Sequence, residues 1–487
     1  MKKSVKLLIL VLVLALLAGG YFLLKGLDLE QKQADAQAAE EAAKNIEIAS
    51  FDAMNFDFIE VEAADDSFVI RTGTEGVPFY AEGMENLTLD PVKVAETIVK
   101  LARLTATHAM EEGTDPAQYG LDKPVMTVNY ALKDGSGATY YVGAANPVTH
   151  EYYCMVEGDD TVYLMEGAYH DNFANGVVAF AQVEVLPDLA GTYVTDYLVD
   201  FREGEEKEDV HFVYSAEGFD DVYNYAEVWF YDSPEYGLLS TESVGFSDFI
   251  NASTTMELEY PIAIANDETI AAFGLDDPMV EVSYQYEAAY EGTTSGTTKI
   301  LVSDTNPSED KYYVMLEGGQ YIYDMGTSLL TNIFNVDPAT HVTPVAIAID
   351  LATIDSIEID SAAGHYTIEY DREVTDNEDG TQTTTYYFTS NGVELNEDQA
   401  YNWRVFFNEL RTEYADTVSF DLNDFDDSEP AATITIHRNT DTFKTITFSF
   451  YAYDSSFYVC DFEGVRILLF NKNFVNSWVE RLPEVLP

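Results

Sequence analysis

The seven histidines are the residues best suited to acid–base or metal chemistry, and they are scattered along the chain. They are His108, His150, His170, His211, His341, His365 and His437. No two have the spacing of the HExxH zinc motif, and neither a GxSxG nucleophile motif nor a GxxxxGK[ST] phosphate loop occurs. The sequence therefore predicts no catalytic residues and a protein that is not an enzyme.

Carboxylates are the other source of chemistry, because 87 Asp and Glu outnumber 24 Lys and Arg and give a formal net charge of −63. A pair of carboxylates can hydrolyse a glycosidic bond. An extracytoplasmic carboxylate-dependent hydrolase acting on cell-envelope glycans is therefore the alternative function. The same charge repels phosphate groups, which Lys and Arg normally neutralise, so we expect no nucleic-acid partner.

Calcium is the metal that acidic clusters would suit, since it prefers oxygen ligands. Residues 421–429 form such a cluster, and its candidate ligands are Asp421, Asp424, Asp426 and Asp427. The segment lacks the DxDxDG spacing of a dedicated calcium loop, so a solvated loop is the other interpretation. A second cluster at residues 376–380 lies between strand-like sequences and predicts a hairpin turn. We expect no other cofactor.

The two cysteines, Cys154 and Cys460, are far apart in the sequence and lie in no CxxC or Cys/His motif. One long-range disulfide and two buried free thiols are the alternatives, and we expect the free thiols.

The beginning of the chain resembles a membrane tether. Lys2, Lys3 and Lys6 precede an uncharged apolar run at residues 7–24, which is just long enough to cross a bilayer core. Since positive residues favour the cytoplasmic side, we expect a cytoplasmic stub at 1–6, a transmembrane helix at 7–24 and an extracytoplasmic body. A cleaved signal peptide is the alternative. Residues 29–45 contain neither Gly nor Pro and predict a helical stalk over 25–47.

Internal repetition is the most informative feature of the sequence. Tyr-Gly-Leu-Asp-Lys-Pro at 119–124 recurs as Phe-Gly-Leu-Asp-Asp-Pro at 273–278, and Asn-Pro at 146–147 recurs at 306–307. Tyr-Tyr-Cys-Met-Val-Glu-Gly at 152–158 recurs as Tyr-Tyr-Val-Met-Leu-Glu-Gly at 312–318. The residues expected to maintain these motifs are Gly120, Asp122, Pro124, Asn146, Pro147 and Tyr153 in the first copy, and Gly274, Asp276, Pro278, Asn306, Pro307 and Tyr313 in the second.

A degenerate third copy follows, in which residues 422–430 replace the first motif. We therefore predict three repeat modules: the first module (48–185), the second module (186–340) and the third module (341–487). Whether the third is a full domain or a cap stays open. Residues 287–298 contain an insertion relative to the first copy and predict a lengthened hairpin loop.

The pattern inside a module predicts an α+β fold, in which an antiparallel sheet packs with one or two helices. Alternating residues at 58–62 and 67–71 predict a strand pair. Asp90 and Pro91 begin a helix whose apolar face is Val94, Ile98, Leu101 and Leu104. Asn396 caps a helix with Trp403, Phe406, Phe407 and Leu410 on one face, and residues 246–255 are the counterpart in the second module. Strands are expected at 126–132, 139–142, 152–156 and 162–165. One Tyr of each Tyr-Tyr pair should pack inward, and the other could line a protein or glycan surface.

The repeated motifs resemble those of the DUF4340 family of uncharacterised bacterial proteins. The resemblance covers residues 87–165 and 273–325 clearly and 424–470 loosely. It departs from the family pattern at Ser303, where the first copy has Gly143, and the third module lacks that turn. The resemblance implies one N-terminal membrane anchor and an envelope role, since some family members are encoded beside ABC-type transporter components. It implies no catalytic residues.

Taken together, these features predict a non-enzymatic scaffold or binding protein of the cell envelope. We expect it to be anchored in the membrane through its N-terminal helix. Its expected partners are integral-membrane transporter subunits or other envelope proteins.

Overall fold

The computed structural model describes residues 45–487 with the exception of short segments. These are 64–65, 75, 206, 220–221, 224–226, 305–309, 378–380 and 423–424, together with the side chains of 243–245. The predicted stub, transmembrane helix and all but the end of the stalk lie outside the described residues. Strand β1 (Ile46–Ser50) covers the last two residues of the stalk range, so the helix prediction is wrong there. None of the helices in the described part of the chain combines the length and apolarity that a membrane crossing requires.

The chain forms two compact bodies. The first contains the described residues up to Val183 with Pro261–Ile264, and the second contains the described residues of Glu184–Tyr260 and Ala265–Pro487. The second body therefore holds nearly all of the second module together with the whole third module.

Strands β1–β10 lie between Ile46 and Met165. After β1 they are β2 (Phe56–Ala63), β3 (Ser67–Thr74), β4 (Val77–Ala81), β5 (Arg103–Ala106), β6 (His108–Ala109), β7 (Met126–Leu132), β8 (Gly137–Ala145), β9 (Tyr152–Val156) and β10 (Tyr163–Met165). Strands β1 and β5 pair with each other, and the other eight form an antiparallel sheet in the order β4-β3-β2-β7-β8-β9-β10-β6.

The second sheet has nine strands in the order β14-β13-β12-β11-β16-β17-β18-β19-β15. Their bounds are β11 (Thr192–Phe201), β12 (Val210–Tyr214), β13 (Trp229–Ser233), β14 (Gly237–Ser240), β15 (Tyr260–Ile264), β16 (Val280–Ala288), β17 (Gly296–Val302), β18 (Lys311–Leu316) and β19 (Tyr321–Gly326). The loop between β16 and β17 is the lengthened hairpin expected from the sequence.

The third sheet also has nine strands, in the order β23-β22-β21-β20-β25-β26-β27-β28-β24. Their bounds are β20 (Ile354–Ser361), β21 (Gly364–Asp376), β22 (Gln382–Ser390), β23 (Val393–Glu394), β24 (Thr417–Val418), β25 (Ala432–Arg438), β26 (Thr445–Ala452), β27 (Phe457–Phe462) and β28 (Val465–Asn471). Strands β21 and β22 pair on either side of residues 377–381, so the hairpin predicted around the acidic cluster at 376–380 is confirmed.

The helices are α1 (Pro91–Leu101), α2 (Ala168–Asp171), α3 (Ser243–Thr254), α4 (Asp267–Ala272), α5 (Thr331–Phe334), α6 (Glu397–Arg411) and α7 (Lys472–Val485). The carboxylate of Asp90 accepts hydrogen bonds from the backbone N–H groups of Val92 and Lys93, which confirms the predicted start of α1. Leu104, however, lies beyond this helix in β5. In α6 the predicted apolar residues are all buried, and Asn396 with Gln399 forms a capping box.

One topology underlies all three sheets. The strands before the long helix of a module extend to one edge of its sheet, and the strands after the helix extend towards the other. At the centre, the first sheet strand before the helix lies beside the second sheet strand after it: β2 beside β7, β11 beside β16 and β20 beside β25. The first sheet strand after the helix lies at the far edge of each sheet, and these strands are β6, β15 and β24. The first sheet has one strand fewer than the others because only three strands precede α1 within it.

Each central strand pair carries a β-bulge at the same place. The bulges lie between Phe56 and Phe58, between Val194 and Asp196, and between Ile354 and Ser356. At the second residue pair after each bulge, buried residues face each other: Ile59 and Tyr130, Tyr197 and Tyr284, and Ile357 and Ile436. A bulge bends its strand and strengthens the local twist, so the three sheets are curved by the same device.

Candidate functional site

The repeated turn of the first module packs against strands β8 and β9. Gly120 ends a short 3-10 helix with φ of +73°, a left-handed conformation that favours glycine. Tyr119, just before it, contacts Tyr153 with ring centroids 4.2 Å apart. Asp122 is exposed and Pro124 half-buried, two residues before β7 begins.

The second module repeats this arrangement. Gly274 has φ of +68°, Asp276 is exposed, and Pro278 is half-buried two residues before β16. The ring of Phe273 packs against that of Tyr313 with centroids 4.6 Å apart. The equivalent positions therefore preserve an aromatic pair next to a left-handed glycine.

The Asn-Pro turn is described only in the first module. The side-chain oxygen of Asn146 accepts a hydrogen bond of 3.0 Å from the N–H of Val148, and Pro147 is exposed. Asn306 and Pro307, its predicted counterparts, lie outside the described residues.

Both rings of each Tyr-Tyr pair contact other rings of the same module. Besides the contacts of Tyr153 and Tyr313, Tyr152 stacks on His170 at 4.1 Å between centroids, and Tyr312 packs against Phe334 at 4.8 Å. All four tyrosines are half-buried, so within a module they contribute to packing.

The two cysteines occupy equivalent positions in the first and third sheets. Cys154 is the register partner of Val142, and Cys460 is the partner of Phe450, the residue equivalent to Val142. Both are buried and free, which confirms the predicted thiols. Burial raises the pKa of Cys154 to about 12 and raises the pKa of Cys460 as well, so neither is a reactive thiolate at neutral pH.

The acidic cluster at 421–429 contains a guanidinium. Arg466 lies 3.0 Å from the carboxylate of Asp427 and 2.6 Å from that of Asp461. Asp426 accepts a hydrogen bond of 3.0 Å from the N–H of Ser428, and Asp421 is exposed. Asp424 lies outside the described residues. Among those described, no group of three His, Cys, Asp or Glu side chains is arranged to hold a metal ion.

A cavity lies within the second compact body, where the second and third modules meet. Its volume is about 600 Å³. Its wall includes residues of strand β14, the connection from Val342 to Ala348, the end of α6, and strands β27 and β28. Val222, Tyr223, Glu227 and Phe443 also line it. Sequence reasoning missed this cavity, because its residues belong to two modules and lie outside the repeated motifs.

Aromatic and aliphatic side chains form most of the wall. The aromatic residues are Tyr223, Tyr236, Tyr414, Phe443 and Phe462. Tyr223 holds the two modules together: its hydroxyl donates a hydrogen bond to the carbonyl of Ala348, and its ring packs edge-on against Phe443 and Phe462 at 5.7 and 5.3 Å between centroids.

Four charged side chains line the same cavity: Glu227, Glu242, Glu463 and Arg411. Glu242 precedes α3, but its carboxylate makes no capping hydrogen bond to the helix. Glu463 accepts a hydrogen bond of 2.8 Å from the N–H of Thr447. Arg411 donates to the carbonyl of Ile349 at 3.1 Å and to the side-chain oxygen of Asn408 at 2.8 Å. Two nitrogens of the guanidinium are therefore bound within the protein, while its buried Nε has no hydrogen-bond partner among the described residues. The three carboxylates outnumber this single cation at the cavity.

The fold and the site define a class of protein: tandem α+β modules with antiparallel sheets, joined in the second compact body around a mainly apolar cavity. The chain belongs to the family described as a domain of unknown function, DUF4340, whose profile matches residues 81–211 and 250–403, more than half of the chain. The matched segments include the turns at 119–124 and 273–278 but end before the third copy at 424–470. Comparisons with curated proteins and with solved structures each found no match.

Proposed function

We propose that this protein is a non-catalytic binding and scaffold protein of the cell envelope, tethered by residues 7–24 and associated with integral-membrane partners such as transporter subunits. The observation that carries the proposal is that the three modules share one architecture but differ in the side chains at equivalent positions. They share strand order, bulge and helix placement. At equivalent positions their chemistry differs: Gly143, Ser303 and Tyr451 correspond, as do Cys154, Val314 and Cys460.

This pattern supports architecture as the retained property. A catalytic site needs particular side chains in fixed geometry, whereas a scaffold needs a shape that repeats. The acidic surface suits basic partner surfaces, since complementary charge speeds association and sets specificity.

The cavity adds a binding capacity to this scaffold. Small-molecule sites are concave, mainly apolar and supplied with a few polar groups, and the cavity around Tyr223 has these properties.

The hydrolase acting on envelope glycans is the second candidate, and the observation in its favour is that glutamates and aromatic rings line one cavity. The mainly apolar wall favours binding over hydrolysis, because sugars are held by many hydrogen bonds and distorted by them. Release of reducing sugar from purified envelope glycan by the full chain, and its loss in Glu242→Gln, would establish the hydrolase instead.

The experiment that tests the scaffold is mild crosslinking in native membranes, followed by purification of the full chain and identification of its partners. The expected partners are integral-membrane proteins. The matched control is a chain that lacks residues 1–44, which should leave the membrane fraction and lose those partners. A full chain that recovers no membrane partner, or a shortened chain that stays in the membrane fraction, contradicts the proposal.

A further inference from the structure

The cavity of the second compact body has the size of a small-molecule site. Its volume of about 600 Å³ falls within the range of about 300–1,000 Å³ that is usual for such sites. Its wall contains Leu238, Val345 and Ile467 as well as the five aromatic residues. An occupant must therefore have a substantial apolar body.

The charge of the cavity lining favours a positively charged occupant. Three glutamates and one arginine line the cavity, so these residues carry a formal charge of −2. Within the described residues the carboxylate of Glu242 makes no ion pair or hydrogen bond, whereas Arg411 already donates to two acceptors. The chain as a whole carries −63, and such a field attracts cations and repels anions.

The aromatic rings of the wall have the same preference. The face of a tyrosine or phenylalanine ring is negative and attracts a cation that lies within about 6 Å of the ring centre. One such contact already exists here, because the guanidinium carbon of Arg438 lies 5.5 Å from the ring centroid of Tyr223. Aromatic rings that surround a cation are a general means of recognising organic cations.

Two wall residues are held in a strained backbone conformation. Phe443 has φ of +46° and Glu463 has φ of +49°. Both values lie in the left-handed region, which is unfavourable for residues other than glycine, and such residues concentrate at ligand sites. Four described non-glycine residues have positive φ, so half of them belong to this cavity.

We propose that the cavity binds a lipophilic organic cation, a molecule with an apolar, preferably aromatic body and one positive charge. The proposal rests on the proposed binding function and deepens it by naming the class of ligand. A fatty acid of similar size would place its carboxylate among three glutamates and one arginine that already donates two hydrogen bonds. A sugar would leave its hydroxyl groups against an apolar wall.

The test uses two ions of nearly the same size and shape but opposite charge, tetraphenylphosphonium and tetraphenylborate. Each is titrated by calorimetry into the full chain in nanodiscs of zwitterionic lipid, and the signal from empty discs is subtracted. We expect one saturable site per chain for tetraphenylphosphonium. The affinity for tetraphenylborate should be weaker by a factor of about ten or more.

Variants assign the binding to the cavity. Glu242→Gln with Glu463→Gln should lower tetraphenylphosphonium affinity about tenfold, and Val345→Trp should abolish it by filling the space. Glu394→Gln removes an exposed carboxylate outside the cavity and should have no effect. Far-ultraviolet circular dichroism checks that each variant is folded.

The outcomes separate the two proposals. Equal or tighter binding of tetraphenylborate, or tetraphenylphosphonium binding that survives both cavity variants, overturns the cation inference and leaves a binding protein in place. Saturable binding of neither ion overturns the cavity as a site for lipophilic ions. The crosslinking experiment tests the proposed scaffold function independently of these binding results.

Discussion

The hydroxyl of Ser303 donates a hydrogen bond to the backbone carbonyl of Phe273. At the equivalent place in the first module, Gly143 lies so close to the carbonyl of Tyr119 that an added Cβ would be only 2.3 Å from its oxygen. The two modules thus accommodate this position differently. The first module has a glycine, which has no side chain, whereas the second module has room for a serine hydroxyl that makes a hydrogen bond.

Gly143→Ala should destabilise the first module by about 1–3 kcal/mol, the usual effect of forcing extra volume into a packed site. The new methyl group would also approach Leu121, whose Cγ lies 2.9 Å from the ideal Cβ position. Hydrogen–deuterium exchange of β7 and β8 measures the effect. Ala145→Ser, at an exposed position of β8, is the control. If hydrogen–deuterium exchange of β7 and β8 were the same in Gly143→Ala as in the wild type, the turn would be able to move away from the added methyl group, and the prediction would be wrong.

Ser303→Ala should destabilise the second module by about 1 kcal/mol through loss of the hydrogen bond to Phe273. The measurement is exchange of β16 and β17, with Thr297→Ala at an exposed position of β17 as the control. Equal effects of the two substitutions would contradict a specific role for this hydroxyl.

His341 should make the stability of the second compact body depend on pH. Burial against the rings of Phe246 and Phe249, 5.4 and 4.8 Å away between centroids, lowers the pKa of His341, while the nearby charge of Asp337 raises it to a smaller extent. With a folded-state pKa below the unfolded value of 6.5, the unfolded chain binds more protons. The contribution of this histidine to stability is therefore present above pH 6.5 and is lost as the pH falls below it.

The measurement is urea unfolding at pH 7.5 and pH 5.5. His341→Phe removes the titrating group and should reduce the change in unfolding free energy between these two pH values. His108→Gln, which alters an exposed histidine of β6 in the first compact body, should leave the change as it is in the wild type. An identical pH dependence in all three proteins would mean that His341 does not titrate in this range.

Arg466 should keep calcium away from the acidic segment of the third module, because its guanidinium pairs with Asp427 and Asp461. We expect calorimetry to detect no tight calcium binding by the wild-type chain. Arg466→Gln releases both carboxylates and should increase calcium affinity, since binding strengthens with the number of free charged ligands. A tight stoichiometric site in the wild type would contradict this assignment.

The two thiols should be unreactive in the folded protein. The raised pKa of Cys154, about 12, and that of Cys460 keep both protonated at pH 8, and the thiolate is the reactive form. We expect 5,5′-dithiobis(2-nitrobenzoate) to label neither cysteine in buffer and both in concentrated urea. Rapid labelling without denaturant would contradict their burial.

Much of the fold followed from the sequence because the signals were local. The strands expected at 126–132 and 152–156, between turn residues, coincide with β7 and β9. Asp90 and Asn396 placed the starts of α1 and α6 through ordinary capping. The local pattern was insufficient at Leu104. This residue continues the helical spacing but belongs to β5, because pairing with β1 satisfies its backbone there.

The sequence by itself determined the repeat, the turns and the strand and helix content, since each depends on neighbouring residues or on similarity between copies. The tertiary structure alone decided the cavity around Tyr223 and the pairing of Arg466 with Asp427, which are 39 residues apart. These contacts join segments that are distant in sequence, and a side chain's periodicity carries no information about which distant surface it will meet. Only the packing of the second module against the third places Glu242 and Glu463 in one cavity.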